Sequence, residues 1–196
     1  MRGAETRLFL VRHGPTHARG MVGWTDLAAD LSDAAALARL SEYLPPNALV
    51  VASDLRRAAD TAAALANGRR RLPDLHGLRE IHFGAWEMRT WQEVDAENPA
   101  RIRAYWDAPG DNTPPGGESW HQTCARVNAA VDGLLAAHAG QDLIVVGHFG
   151  QILTQIQRAA GITALEAFGH KIDNLSVTEL AFGPAGWRCG RINHRP

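Results

Sequence analysis

The sequence predicts an α/β protein built on a mainly parallel sheet covered on both faces. Four short apolar runs, each bounded by polar residues or glycine, read as buried strands. Helical segments with their own start and stop signals follow the first three. Strands alternating with helices imply parallel pairing through crossover helices.

The first strand is Leu8–Val11. Ser32 then caps a helix through Asp33–Leu44, which Pro45 and Pro46 stop. Leu49–Ala52 is the second strand, and Ser53 caps a helix over Asp54–Asn67 with Gly68 at its far end. Leu143–Val146 is the third, followed after Gly147 by a helix from about Gly150 to Ala160, closed by Gly161. Ser176–Ala181 is the fourth, and its apolar edge could pair with a second copy to make a homodimer or simply be core. Trp187–Ile192 is the candidate fifth.

Between Leu72 and Thr123 the character changes. Pro73, Pro99, Pro109, Pro114 and Pro115 break the pattern, while Trp86, Trp91, Trp106 and Trp120 crowd into it. This stretch, about residues 72–123, reads as an insertion folded over the sheet within a single domain spanning 1–196. Its tryptophans are expected to be packing anchors before ligand contacts.

Composition narrows the function classes. The 196 residues suit one domain with a sizeable core. A formal net charge of −1 argues against a polybasic nucleic-acid binder or an anionic-membrane binder. Two cysteines, Cys124 and Cys189, make no disulfide framework or metal quartet and suit reduced thiols in a cytoplasmic protein. The opening apolar run ends at Arg12, too short for a signal peptide, and no stretch approaches the ~20 apolar residues of a membrane span.

In an open α/β sheet, functional residues gather at the carboxyl ends of the strands. Arg12-His13-Gly14-Pro15-Thr16 follows the first strand, Ser53 to Ala58 the second, and Gly147-His148-Phe149-Gly150 the third. The insertion opens with Leu78-Arg79-Glu80. Two histidines, Arg12, Arg57 and an acid thus converge on one edge. A neutral imidazole is a good nucleophile near pH 7, and arginine grips phosphate oxygens bidentately. Helix N-termini at Ser53 and near Gly150 favour an anion. The set predicts a phosphate cradle holding a nucleophile. It would run in-line phosphoryl transfer to an imidazole nitrogen, with Glu80 as the best candidate to protonate the leaving alcohol and later activate water.

These residues resemble the histidine phosphatase superfamily, also called phosphoglycerate mutase-like. Leu10-Val11-Arg12-His13-Gly14-x-Thr16 is similar to the family's opening strand and loop. Ser53-x-Leu55-x-Arg57-Ala58-x-x-Thr61-Ala62 resembles its second block, and Leu78-x-Glu80-x-x-Phe83-Gly84-x-Trp86-Glu87 its acid block. Gly117-Glu118-Ser119 and Gly147-His148-x-Gly150 complete the pattern in order. The resemblance implies a three-layer α/β/α sandwich with a mainly parallel mixed sheet, no metal and no cofactor. It implies that His13 is phosphorylated, that Arg12, Arg57 and His148 bind the phosphoryl group, and that Glu80 is the proton donor. Thr16, Arg19, Gly23, Trp24 and Phe149 join Arg12, Arg57 and His148 as expected contacts to a small phosphorylated substrate.

Within the family, Glu80 to Arg89, Asp95-Ala96-Glu97-Asn98 and the Gly117 block are most similar to the alpha-ribazole phosphatase subgroup. That subgroup implies a ribazole 5′-phosphate substrate of cobalamin biosynthesis, whose flat base could stack on a tryptophan of the cover. A broad-specificity phosphatase and a phosphoglycerate mutase-like enzyme are the alternatives on the same motifs. A non-catalytic phospholigand-binding regulator is the alternative outside enzymes.

Four positions depart from the family pattern. Pro15 replaces a common acidic residue, Arg19 stands where an Asn often binds phosphate, Phe149 is larger than usual, and Ala34 replaces a Gly. Other residues have plainer expectations. His13 and His17 are four apart, but Pro15 lies between them and no HExxH glutamate is present, so a zinc pair is disfavoured. His82, His121, His138, His170 and His194 read as surface or loop residues, with His82 notable for its closeness to Glu80. Arg56 should face outward, and Arg69-Arg70-Arg71 should be a solvated loop. Glu87 is the rival proton donor, although Trp86-Glu87 is expected to support the loop instead.

Overall fold

The computed structural model describes residues 5–196, so the first four residues of the expected domain lie outside the described residues. Five strands form one mixed sheet: β1 (Thr6–Arg12), β2 (Leu49–Ala52), β3 (Asp142–Gly147), β4 (Val177–Gly183) and β5 (Gly186–Cys189). Their order is β2-β3-β1-β4-β5. β1 and β2 both run parallel to β3, whereas β4 is antiparallel to β1 and β5 antiparallel to β4. Four strands therefore point one way and β4 alone runs against them, a mixed sheet whose parallel part is β2-β3-β1.

Alternation along the strands sets the layers. Leu8, Leu10, Leu49, Val51, Leu143 and Val145 point to one face. There they meet α5 (Trp120–Ala137) and α6 (Phe149–Ala160) through residues such as Val127, Val131, Ile152 and Ile156. Phe9, Val11, Val50, Ala52, Ile144 and Val146 point to the other face. There they meet α1 (Ala34–Tyr43) and α2 (Arg56–Ala66) through Leu40, Ala58, Ala62 and Leu65. This is the three-layer α/β/α sandwich that the period-2 strand pattern requires.

The insertion adds two single 3₁₀ turns, His76–Leu78 and Gly84–Trp86, and two helices, α3 (Trp91–Glu97) and α4 (Pro99–Asp107). Its core is not separate: Leu78, Ile81, Phe83, Trp86, Ile102 and Tyr105 are continuous with the α5/α6 layer. Trp86 and Trp120 are buried anchors, as expected of clustered tryptophans, whereas Trp91 is largely exposed. The short α7 (Ala164–Phe168) leads into β4.

Several expected boundaries move. Asp33, not Ser32, caps α1. Ser53 does not cap α2, which begins at Arg56; the first helical N–H is taken instead by Asp26 of the β1–α1 loop at 2.7 Å. The segment after Gly68 is not free loop, because Leu72 and Leu75 donate to Val50 and Ala52 and extend the sheet edge beside β2. Near the end of the cover expected at about 72–123, Ser119 caps α5 with a capping box. The strand expected at Ser176–Ala181 is Val177–Gly183, and the one at Trp187–Ile192 is Gly186–Cys189. β4 lies between β1 and β5, so the apolar run at 176–181 is core and offers no free edge to a second copy.

The arginine run is also not simply solvated. Arg69 donates to the carbonyls of Ser41, Leu44, Pro45 and Leu65, closing the C-terminal ends of α1 and α2. Arg71 pairs with Asp74, leaving Arg70 as the exposed member. Among the described residues, no helix is long and apolar enough to cross a membrane.

Candidate active site

The carboxyl ends of β1, β2 and β3 share one edge because Arg12 is in register with Gly147, and Ala52 with Val146. The ladder continues one residue further: His13 N–H donates to Gly147 O at 3.0 Å and Ser53 N–H to Val146 O at 3.0 Å. Sheet register, rather than any loop, therefore places Arg12 and His13 beside His148. The rings of His13 and His148 meet edge to face with centroids 5.1 Å apart.

The tautomer of His13 follows from its partners. Nδ1 lies 2.6 Å from Gly14 O, and a carbonyl can only accept, so Nδ1 carries the proton. Nε2 is left with its lone pair and accepts from Arg57 Nε at 3.2 Å. Burial, reinforced by the nearby charge of Arg57, pushes the imidazole down to about 3. His13 is thus neutral at physiological pH, with its free nitrogen facing a guanidinium.

Arg57 reaches His13 from the first turn of α2. It is buried and held from behind: its two terminal nitrogens donate to Gly23 O at 2.6 Å and Thr25 O at 2.9 Å. Thr61, one turn along α2, accepts from Gly14 N–H at 3.0 Å and donates to Arg57 O at 2.7 Å, tying the two loops together. Arg12 donates to Ile172 O at 2.6 Å and lies over the Phe149 ring, 5.6 Å from its centroid. His148 caps α6 in extended backbone and is fully buried. Neither of its ring nitrogens, nor Nε of Arg12, has a hydrogen-bond partner among the described residues. Buried polar atoms without partners cost folding energy, and these three stand at the shared edge of β1 and β3.

Glu80 comes from the cover. Its Oε1 accepts from Ile81 N–H at 2.9 Å and its Oε2 from Gly150 N–H at 3.1 Å, at the N-terminus of α6. A Cβ at position 150 would stand 2.5 Å from Glu80 Oε1, which explains the glycine of Gly147-His148-x-Gly150. Burial raises the carboxyl above its ordinary range, against the pull of those two N–H groups. The backbone beneath it is clamped. Arg126 donates to the carbonyls of Gly77, Arg79 and Glu80 while pairing with Glu118, and Trp24 Nε1 donates to Glu80 O at 2.8 Å. Burial works to raise Glu118, but the hydrogen bond and charge of Arg126 keep it below the usual range.

The structure thus brings Arg12, His13, Arg57, His148, Phe149 and Glu80 together. Gly23 contributes a carbonyl to Arg57, and Trp24 is engaged by the ring edges of His76 and His82 and by the cations of Arg79 and Arg126. Thr16 and Arg19 are not drawn in: neither makes a side-chain hydrogen bond among the described residues, and Arg19 is exposed. Glu87 is occupied by five donors from Gly23, Trp24, Thr25 and Phe83, so it is a loop organiser rather than a free acid.

Several histidines outside the site also have partners. His17 pairs with Asp30 rather than with His13, His121 with Asp111, and His194 stacks on Tyr43. Local pattern missed Asn174, whose Nδ2 donates to His13 O at 2.7 Å. Asn174 reaches the site because β4 runs antiparallel to β1, which puts the residues leading into β4 at the same edge as His13.

Comparison with known proteins agrees with this geometry. The model of the histidine phosphatase superfamily (branch 1) matches residues 8–195. A bifunctional protein of Mycobacterium tuberculosis is 34% identical over 91% of this chain and 51% of its own length, so the chain spans about half of that relative. A glucosyl-3-phosphoglycerate phosphatase of Mycolicibacterium vanbaalenii is 34% identical, covering 92% of this chain and 82% of the relative. The adenosylcobalamin/alpha-ribazole phosphatase of Salmonella typhimurium is 30% identical, covering 85% and 86%. Among solved structures, YhfR of Bacillus stearothermophilus superposes with a TM-score of 0.87 at 26% identity, covering 96% of each chain. With His13, Arg57 and His148 assembled on a sheet of this topology, the chain belongs to the histidine phosphatase superfamily.

Proposed function

We propose that the chain is a metal-independent phosphomonoester hydrolase that works through a phosphohistidine at His13. The observation that carries this reading is the lone pair of His13 Nε2, held neutral and 3.2 Å from Arg57 Nε. Arg12, Arg57 and His148 hold the phosphoryl oxygens and take up charge in the transition state. His13 Nε2 forms a bond to phosphorus as the ester P–O bond breaks. Glu80, whose protonated form burial favours, gives its proton to the departing oxygen and releases the alcohol. The Glu80 carboxylate then accepts a proton from the water that attacks phosphohistidine. Orthophosphate leaves, and both residues return to their starting states.

For the substrate, the reading commits to a ribazole 5′-phosphate. The motif from Glu80 to Arg89 supports it, as does likeness to the Salmonella enzyme named for that ester. The experiment is a panel of ribazole 5′-phosphate, glucosyl-3-phosphoglycerate, phosphoserine, sugar phosphates, phosphoglycerates and nucleotides, ranked by kcat/KM. A clear preference for the first is expected. Preference for another ester keeps the hydrolase and discards the substrate. No turnover above a His13→Ala control on any ester leaves the non-catalytic binding role.

A further inference from the structure

We infer that Glu87 is a positioning residue that aims the Arg57 guanidinium at the phosphoryl group, acting through the loop 23–25 and not on the substrate. This rests on the hydrolase reading above and names a residue outside its chemistry. Glu87 ends the 3₁₀ turn of the cover, yet both its oxygens reach across to the loop that follows β1. Oε1 accepts from Trp24 N–H at 2.7 Å and Phe83 N–H at 3.1 Å. Oε2 accepts from Gly23 N–H at 3.0 Å, Thr25 N–H at 3.2 Å and Thr25 Oγ at 2.8 Å.

Two of these three loop residues also hold Arg57 through their carbonyls, Gly23 O and Thr25 O. A carboxylate on the N–H side and a guanidinium on the C=O side thus sandwich one loop. Gly23 makes the sandwich possible, since any Cβ there would collide with Glu87 Oε1 and Ile81 O. Of the five N–H groups of the guanidinium, three are spent on Gly23, Thr25 and His13. One N–H on each terminal nitrogen remains for phosphoryl oxygens. Their direction is set by where Gly23 O and Thr25 O stand, and hence by Glu87. Burial opposes the charge of Glu87, but its hydrogen bonds hold the carboxyl below the ordinary range, so the clamp stays ionised through neutral pH.

A Glu87→Gln change turns one acceptor oxygen into an N–H donor that faces the loop's own donors. The expected result is a ten- to hundredfold loss in kcat/KM, on the order that charge-assisted hydrogen bonds carry. That loss should be equal for alkyl and activated aryl phosphates, with a matching loss of orthophosphate affinity by calorimetry. Arg57→Lys keeps the charge but cannot hold both carbonyls in one plane. In that background Glu87→Gln should cost no more than about twofold, the sign of two residues acting through one element. An undiminished loss in the Arg57→Lys background would overturn the inference, as would a loss confined to alkyl esters. Should Glu87→Gln not fold, Thr25→Val removes a single donor and should show the same leaving-group-independent pattern at a few-fold. Orthophosphate binding needs no turnover, so absence of hydrolysis would sink the proposed reaction while this test still reads.

Discussion

The floor and the cover of the site are held by different forces. On the floor, Arg12, His13 and His148 stand where they do because a parallel ladder fixes strand ends to the ångström, and Ser53 and Gly147 extend that ladder. On the cover, Glu80 sits on irregular backbone whose carbonyls are gathered by two side chains, Arg126 and Trp24. Backbone ladders are shared among many residues, so one floor substitution removes a chemical group and leaves geometry. On the cover, one substitution can move a group that it does not replace. Substitutions in the two regions should therefore fail in different ways.

The largest effect belongs to Arg57, which reaches the floor from α2. Arg57→Met should keep the circular dichroism spectrum and lose on the order of a thousandfold or more in kcat, for every leaving group. Near-normal turnover would remove Arg57 from the site.

On the cover, Glu80→Gln should depend on the ester. A loss on the order of 10²–10³ is expected for alkyl phosphates and far less for nitrophenyl phosphate, whose leaving group needs no proton. The pH profile sharpens this. His13 is pushed down to about 3, so it is already neutral across roughly pH 5 to 9 and raising pH creates no further nucleophile. As the proposed acid, Glu80 has to be protonated, and its protonated fraction falls as pH rises through its raised pKa. For alkyl esters kcat/KM should therefore decline on the alkaline side, and the decline should vanish in Glu80→Gln. An unchanged alkaline limb in that variant would take the acid role from Glu80.

Gly150→Ala should produce a smaller version of the same defect. The new methyl would crowd Glu80 Oε1 at 2.5 Å and Ile81 Cδ1 at 2.7 Å. About a tenfold loss on alkyl esters is expected, with aryl esters spared. Equal losses for both would mean that the methyl disturbs His148 instead.

The same contrast governs what could be read without coordinates. Arg12, His13 and His148 were legible because short apolar runs mark buried strands and their carboxyl ends are where such sheets gather chemistry. The covered sheet followed from strands that alternate with helices and from runs such as Leu8–Val11 and Leu143–Val146 that are apolar on both faces. The antiparallel β4 was not legible, because pairing direction leaves no period in an apolar run, and Asn174 was lost with it. The caps failed for a related reason. Ser53 satisfies the local rule for capping α2, yet Asp26 takes the role from thirty residues away in sequence. On the cover, Glu80 was legible as an acid and Glu87 as a loop support, but the work of Arg126 and Glu118, and which loop Glu87 holds, rest on side chains meeting distant backbone, which no short window displays.

The smallest effect should come from Arg19, which is exposed and makes no hydrogen bond among the described residues. Arg19→Ala should leave kcat within about twofold, and any change in KM should fade with added salt. A large fall in kcat would bring Arg19 onto the floor when substrate binds.

The most direct measurement is rapid mixing with a phosphate ester, an alkaline quench that spares phosphoramidate bonds, and mass spectrometry of the peptides. One phosphoryl group on the peptide holding His13, formed and lost at rates consistent with turnover and absent in His13→Ala, is the predicted result. Phosphorylation of His148, or turnover with no covalent intermediate at any mixing time, would contradict a nucleophilic His13.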